Sequence, residues 1–145
     1  MNKHPPEDFA VLCDLRSSRH GQLTPETLRL LKKSILENKY AIYHDVNGVP
    51  RGYVAWADIN LESLLRLVRA GNFPRYRYEW SEGNIRLIID VLMHTRSVTP
   101  SLLSIMSELT AEAAMVAFVK RGRLRIYGKE NGAFMLKPAS SLRFE

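Results

Sequence analysis

Residues 40–57 read YAIYHDVNGVPRGYVAWA. Two runs rich in Tyr, Val, Ile and Ala flank the pair Asn47-Gly48. A type I′ turn needs positive φ at both central residues, and Asn and Gly tolerate that best. The spacing therefore predicts a β-hairpin with strands at 40–45 and 50–57. The second run, Gly52-Tyr53-Val54-Ala55-Trp56-Ala57, is almost wholly apolar, as expected of a strand covered on both faces in the middle of a sheet.

Upstream, residues 7–15 read as a short helix with Phe9, Leu12 and Cys13 on one face, followed by a polar loop from Arg16 to Gln22. Thr24-Pro25 opens a second helix, with Thr as N-cap, Pro at the first helical position and Glu26 in the positive first turn. Leu28, Leu31, Ile35 and Leu36 are its expected buried stripe, and Asn38-Lys39 its end. Downstream, Asn60 caps a helix over 61–70 that Gly71 stops, with Leu61, Leu64, Leu65 and Val68 facing inward. Residues 72–83 are irregular and aromatic (Phe73, Tyr76, Tyr78, Trp80). Residues 84–93, NIRLIIDVLM, read as a buried strand. Thr99-Pro100 starts another helix, to about Leu109. Residues 113–120, 123–127 and 133–137 read as three closing strands. There are no repeats, linkers or low-complexity segments. The expected architecture is one α/β (α+β) domain over residues 1–145, with a mixed, mostly antiparallel sheet flanked by helices.

The 145 residues suffice for one core. Apolar content of 46% and charged content of 25% are those of a globular protein. No apolar run approaches the roughly 18 residues of a membrane span, and the first residues lack the apolar core of a signal peptide. The single Cys13 excludes an internal disulfide and a thiolate cluster, so the cytoplasm is the default compartment. The net charge of +6 and a pI near 9.7 favour an acidic partner: nucleic acid, a phosphate-bearing cofactor or an acidic protein.

Asp90 is the first candidate for chemistry. A carboxylate inside LIIDVLM must be paired or have a raised pKa. It either orients or charge-stabilises a catalytic partner, or is a strand-end acid that pairs with an Arg or caps a turn. His20 is the second, beside Gly21, where an imidazole is a natural general base near neutral pH. His4, His44 and His94 are rivals, His94 the most serious because it follows Asp90 by four residues. Neither the histidines nor Cys13 has metal-ligand spacing, so no metal is expected. Phosphate-loop, dinucleotide and nucleophile-elbow motifs are also missing. Ser17 and Ser18 near His20 suggest a hydroxyl–imidazole pair.

Taken in order, these pieces resemble the RTX toxin-activating lysine acyltransferases. Ser17-Ser18-Arg19-His20 is similar to that family's Ser-x-x-His segment. Gly48 through Ala57 is similar to its hairpin ending in Trp-Ala, and Leu61-Glu62 to the start of its next helix. Glu79-Trp80-Ser81-Glu82-Gly83 is similar to its Asp-Trp-x-Ser-Gly stretch. Leu87-Ile88-Ile89-Asp90 is similar to the strand carrying its essential Asp, and the late strands fit as well. One segment departs. Where the family has Ala-Pro-Phe-Gly shortly after the Asp, this chain has Met93-His94-Thr95-Arg96.

The resemblance implies a fold like the GNAT acetyltransferases, a homodimer, and His20 and Asp90 as the catalytic pair, with Ser17 nearby. It implies acyl carrier protein as the donor of a fatty acyl group, as a co-substrate rather than a bound cofactor, and a lysine of a protein or peptide as acceptor. The basic surface suits an acidic carrier. His20 acts either as general base toward the lysine amine or as nucleophile on the thioester, and Asp90 holds its tautomer. A backbone N–H near Trp56 or Ala57 is a candidate oxyanion donor. Phe73, Tyr76, Tyr78 and Trp80 are candidates to line the acyl groove. Two other classes stand beside this reading. One is a non-catalytic module whose basic face holds an acidic protein or nucleic acid. The other is an acetyl-CoA-dependent acetyltransferase, whose usual pyrophosphate loop is absent.

Overall fold

A computed structural model describes residues 3–20, 23–93, 115–120, 123–130 and 133–137. Helix α1 (Pro5–His20) and α2 (Pro25–Leu36) precede strands β1 (Tyr40–His44) and β2 (Pro50–Ile59). Helix α3 (Leu61–Ala70) and a 3₁₀ turn (Arg77–Trp80) follow, then β3 (Ile85–Met93), β4 (Met115–Lys120), β5 (Arg123–Glu130) and β6 (Ala133–Lys137). The strands lie in one mixed sheet in sequential order. β1–β2, β4–β5 and β5–β6 pair antiparallel, while β3–β4 pairs parallel. This is an α+β fold, consistent with a GNAT-like domain. The helix expected from Thr99, the rival His94 and the divergent residues after Met93 lie outside the described residues.

The chain packs as two compact units, and β2 and β3 each divide between them. The first unit holds α1, α2, β1, β2 through Trp56, and β3 from Ile89. In the antiparallel register Tyr40 faces Ala55 and Ile42 faces Tyr53. These four form a core with Leu12 and Leu15 of α1, Leu31 and Ile35 of α2, and Leu92 of β3. Gly52 is required in this strand. A Cβ there would lie 2.5 Å from Met93 Sδ and 2.7 Å from the Leu92 carbonyl oxygen.

The second unit holds the end of β2, α3, the 3₁₀ turn, the first half of β3, and β4 to β6. Both predicted caps of α3 form. Asn60 Oδ1 accepts the Ser63 N–H, and Gly71 closes the helix at φ +70°. Gly83 marks a close approach, because a Cβ there would lie 1.8 Å from the Ile59 carbonyl oxygen. Trp80 is fully buried, with its indole N–H donated to the Pro74 carbonyl.

Three local expectations are corrected. The polar run from Arg16 to His20 is not a loop but the end of α1. Ser17 Oγ donates to the Cys13 carbonyl at 2.8 Å and Ser18 Oγ to the Leu15 carbonyl at 3.1 Å, so the serines bond back into the helix rather than ending it. The hairpin forms, but its turn is not type I′, since Gly48 takes positive φ and Asn47 does not. Asp45 overrides the Asn-Gly preference. Its Oδ1 accepts the N–H groups of Asn47 and Val49, and its carbonyl accepts Gly48 N–H at 3.0 Å. The result is a three-residue loop with glycine in the left-handed region and a register shift between Tyr43 and His44. The helix stripes are rotated as well. α2 buries Leu30, Leu31, Ser34 and Ile35, leaving Leu28 and Leu36 exposed. α3 buries Ser63, Leu64, Leu65 and Leu67, leaving Val68 exposed. A buried serine is tolerated in α2 because Ser34 Oγ bonds the Leu31 carbonyl at 2.7 Å.

Candidate active site

The site is built from the first unit outward from Asp90. β3 carries this carboxylate between apolar neighbours, and its side chain is only 17% exposed. Both oxygens are held. Arg16 Nη1 donates to Oδ1 at 3.0 Å, and the Tyr53 hydroxyl donates to Oδ2 at 2.5 Å. Short bonds of this kind, with one partner ionised, are roughly twice as strong as neutral ones. Tyr53 is fully buried. Burial first, and then the Asp90 charge and hydrogen bond, push its hydroxyl pKa well above the usual tyrosine value, against the opposing effect of Arg16. Tyr53 is therefore a proton donor to Asp90 throughout the ordinary pH range.

Arg16 precedes His20 near the end of α1. The two are four residues apart on α1. That spacing is about one helical turn, about 6 Å along the axis. The ion pair that holds Arg16 on Asp90 thus lies about one helical turn before His20. The helix C-terminus carries the negative end of the dipole, which favours a cation there. Ser17 is exposed and bonds to the Cys13 and Asp14 carbonyls.

The other predicted residues are placed as follows. The Trp56 backbone N–H is donated to the Lys39 carbonyl at 3.0 Å, so this group is committed to the chain and the expected oxyanion role does not fall to it. Its ring lies near the Lys3 ammonium, 5.8 Å from the ring centroid, and the same ammonium sits 4.4 Å from the Tyr40 ring. Burial lowers the Lys3 pKa, although Asp8 acts in the opposite direction. Ala57 is fully buried in β2. In the second unit, Trp80 belongs to the packed interior, while Tyr76 and Tyr78 are exposed and stacked on each other at 5.7 Å. Phe73 is half-buried. Among the described residues no group of three or more His, Cys, Asp or Glu side chains is gathered as a metal site would require, and no helix is long and apolar enough to cross a membrane.

Sequence reasoning missed Arg16 and Tyr53. The signal for Tyr53 was present: a hydroxyl in an otherwise apolar central strand needs a buried acceptor, and Asp90 in another apolar strand needs donors. Arg16 was obscured by the reading of residues 16–22 as a loop, which hid its four-residue spacing from His20.

No family model matches the chain. Among known proteins it is similar to the leukotoxin-activating lysine-acyltransferase of Mannheimia haemolytica. The two are 33% identical over 76 residues, which cover 52% of this chain and 45% of that relative. The matched stretch is therefore less than half of the relative's length. This similarity supports the resemblance to toxin-activating lysine acyltransferases drawn from the Ser17–His20 segment, the Trp-Ala hairpin and the Asp90 strand.

Proposed function

We propose that this protein is a protein-lysine acyltransferase that moves a fatty acyl group from acyl carrier protein to a lysine ε-amine of a protein or peptide. The observation that carries the reading is the Asp90 carboxylate, half-buried in β3 and paired with Arg16, one helical turn before His20. An exposed lysine has a pKa near 10.4 and must lose a proton before it attacks a thioester. His20 takes that proton as general base, or forms an acyl-imidazole that the amine then attacks. Asp90 holds the imidazole tautomer and, with the helix end, stabilises the imidazolium. The lysine nitrogen forms the amide bond, the thioester C–S bond breaks, and the thiol leaves with a proton. Trp56, Ala57, Ser17 and Trp80 are assigned to the substrate-binding surroundings. Work as a homodimer in the cytoplasm belongs to the same proposal.

The test is the intact mass of a lysine-bearing acceptor after incubation with the protein and long-chain acyl carrier protein. A fatty-acyl mass gain that disappears in His20→Ala and Asp90→Ala supports the enzyme and both residues. A gain that survives both substitutions moves the site, with His94 next to test. No gain from several donors and acceptors favours the binding module, whose hold on nucleic acid would weaken steeply with salt.

A further inference from the structure

We infer that Arg16 and Tyr53 are positioning residues that clamp Asp90 from two sides and thereby hold the last turn of α1, with His20, at the site. The kinetic half of this inference rests on the acyltransferase reading, and the structural half does not.

Helix α1 is held in place unevenly along its length. Its buried apolar residues are Leu12 and Leu15, and the sequence beyond them, Arg16-Ser17-Ser18-Arg19-His20, contains nothing apolar. Hydrophobic burial therefore ends one turn before His20. At the other end the helix is tethered by Asp8, whose Oδ2 accepts the Tyr40 hydroxyl at 2.5 Å. The corresponding tether at the C-terminal end is Arg16 on Asp90. Ser17 and Ser18 direct their hydroxyls into their own helix, so they supply no tether.

The clamp has two unlike arms. Tyr53 is locked by full burial in β2, and its rigid ring presents the hydroxyl at a fixed point, which leaves Asp90 Oδ2 little freedom. Arg16 is the adjustable arm. It uses Nη1 alone toward Asp90, and its buried Nε has no hydrogen-bond partner among the described residues. Toward Asp90 the guanidinium acts through this one nitrogen rather than as a bidentate fork, and it also acts on the Tyr53 hydroxyl. A carboxylate has about four acceptor sites, so two donors are compatible with a third from an imidazole. Fixing both oxygens selects one rotamer of Asp90, which is what an orienting carboxylate requires.

The substitutions that separate this from simple packing are Tyr53→Phe, Arg16→Met and Arg16→Lys. Phe keeps the buried ring and loses only the hydroxyl. Met keeps the stem and loses the charge. Lys restores one cationic donor, which is all that Nη1 supplies. The first readout is amide hydrogen exchange in residues 17–20, measured on the whole chain with α2 as internal reference. Arg16→Met should exchange at least tenfold faster in that turn, Tyr53→Phe should shift in the same direction, and Arg16→Lys should return most of the protection. The second readout is steady-state acyl transfer. Tyr53→Phe and Arg16→Met should lower kcat roughly tenfold to a hundredfold with KM for the acyl carrier within about twofold of wild type, and Arg16→Lys should recover most of kcat. Unchanged exchange in Arg16→Met and Tyr53→Phe overturns the clamp whether or not the protein transfers acyl groups. Faster exchange in both variants of a protein whose wild type transfers nothing supports the clamp and removes the acyltransferase reading. Normal kcat in both variants with faster exchange overturns the positioning role.

Discussion

Strand β3 carries two charged side chains four residues apart, and they are satisfied in different ways. In the second unit Arg86 meets Asp58 as a fork: Nε donates to Oδ1 at 2.8 Å and Nη2 to Oδ2 at 3.1 Å, and both side chains are nearly buried. In the first unit Asp90 receives one guanidinium nitrogen and one neutral hydroxyl. The bidentate pair matches two planar groups to each other. It has the geometry of an ion pair that fixes structure. The Asp90 arrangement draws its donors from two different elements, α1 and β2, and the first of them lies four residues before His20. A buried carboxylate is thus ambiguous by itself, and the identity of its donors distinguishes a strut from a candidate site.

The sharpest way to break this comparison is to neutralise each acid in turn. Asp90→Asn keeps shape and one acceptor but cannot hold the same imidazole tautomer. Acyl transfer should fall by on the order of a thousandfold or more. Asp58→Asn leaves Arg86 buried against a neutral amide, which should cost about 3–5 kcal/mol of stability and leave transfer per folded molecule near wild type. Urea unfolding and kinetics on the same preparations decide it. If Asp58→Asn lowers kcat as far as Asp90→Asn does while the chain stays folded, the distinction between the two carboxylates fails.

Glycines sharpen the contrast between space and conformation. Gly83 lies against the Ile59–Asn60 backbone, and an added Cβ would sit 2.4 Å from Asn60 N as well as on the Ile59 carbonyl. Backbone cannot rotate away as a side chain can, so Gly83→Ala should cost about 3 kcal/mol or more. Gly48 has φ +77° but nothing within 4 Å of the added atom. Gly48→Ala should cost only about 1 kcal/mol, the strain of a left-handed alanine. Chemical denaturation of both variants checks the order, and equal losses would mean that turn conformation outweighs the Gly83 contact.

What was legible in the sequence is what local chemistry dictates. Thr24-Pro25, Asn60 and Gly71 mark helix ends because the caps are made within four residues of themselves. The apolar run in β2 announced a central strand, and the Ile-Asp-Val context announced an acid that needs partners. The end of α1 was not legible, because Ser17 and Ser18 have side chains that serve a loop or a helix equally well, and the choice follows from where their hydroxyls find carbonyls. Helix faces were displaced by one position where Ser34 and Ser63 pack inward, since a serine reads as polar and packs as a small residue. The donors to Asp90 were illegible for a different reason: they lie 74 and 37 residues away in the chain.

Asp45 gives the smallest effect and completes the series of acids. It stands at the hairpin loop, and its carboxyl is held below the usual carboxylate range first by the Val49 N–H, then by Arg51, with Asn47 adding to them. A group whose pKa is lower folded than unfolded binds fewer protons in the native state. Its stabilisation is full above the unfolded value, about 3.9, and is lost as pH falls through the folded value. Asp45→Asn should therefore lower the urea midpoint near neutral pH by a small amount, and the gap to wild type should close as pH falls below about 4. The same titration of Asp58→Asn should show a larger gap at neutral pH, because the partner left behind there is buried rather than half in water. A gap for Asp45→Asn that stays constant down to low pH would mean that the loop depends on the shape of this side chain and not on its charge.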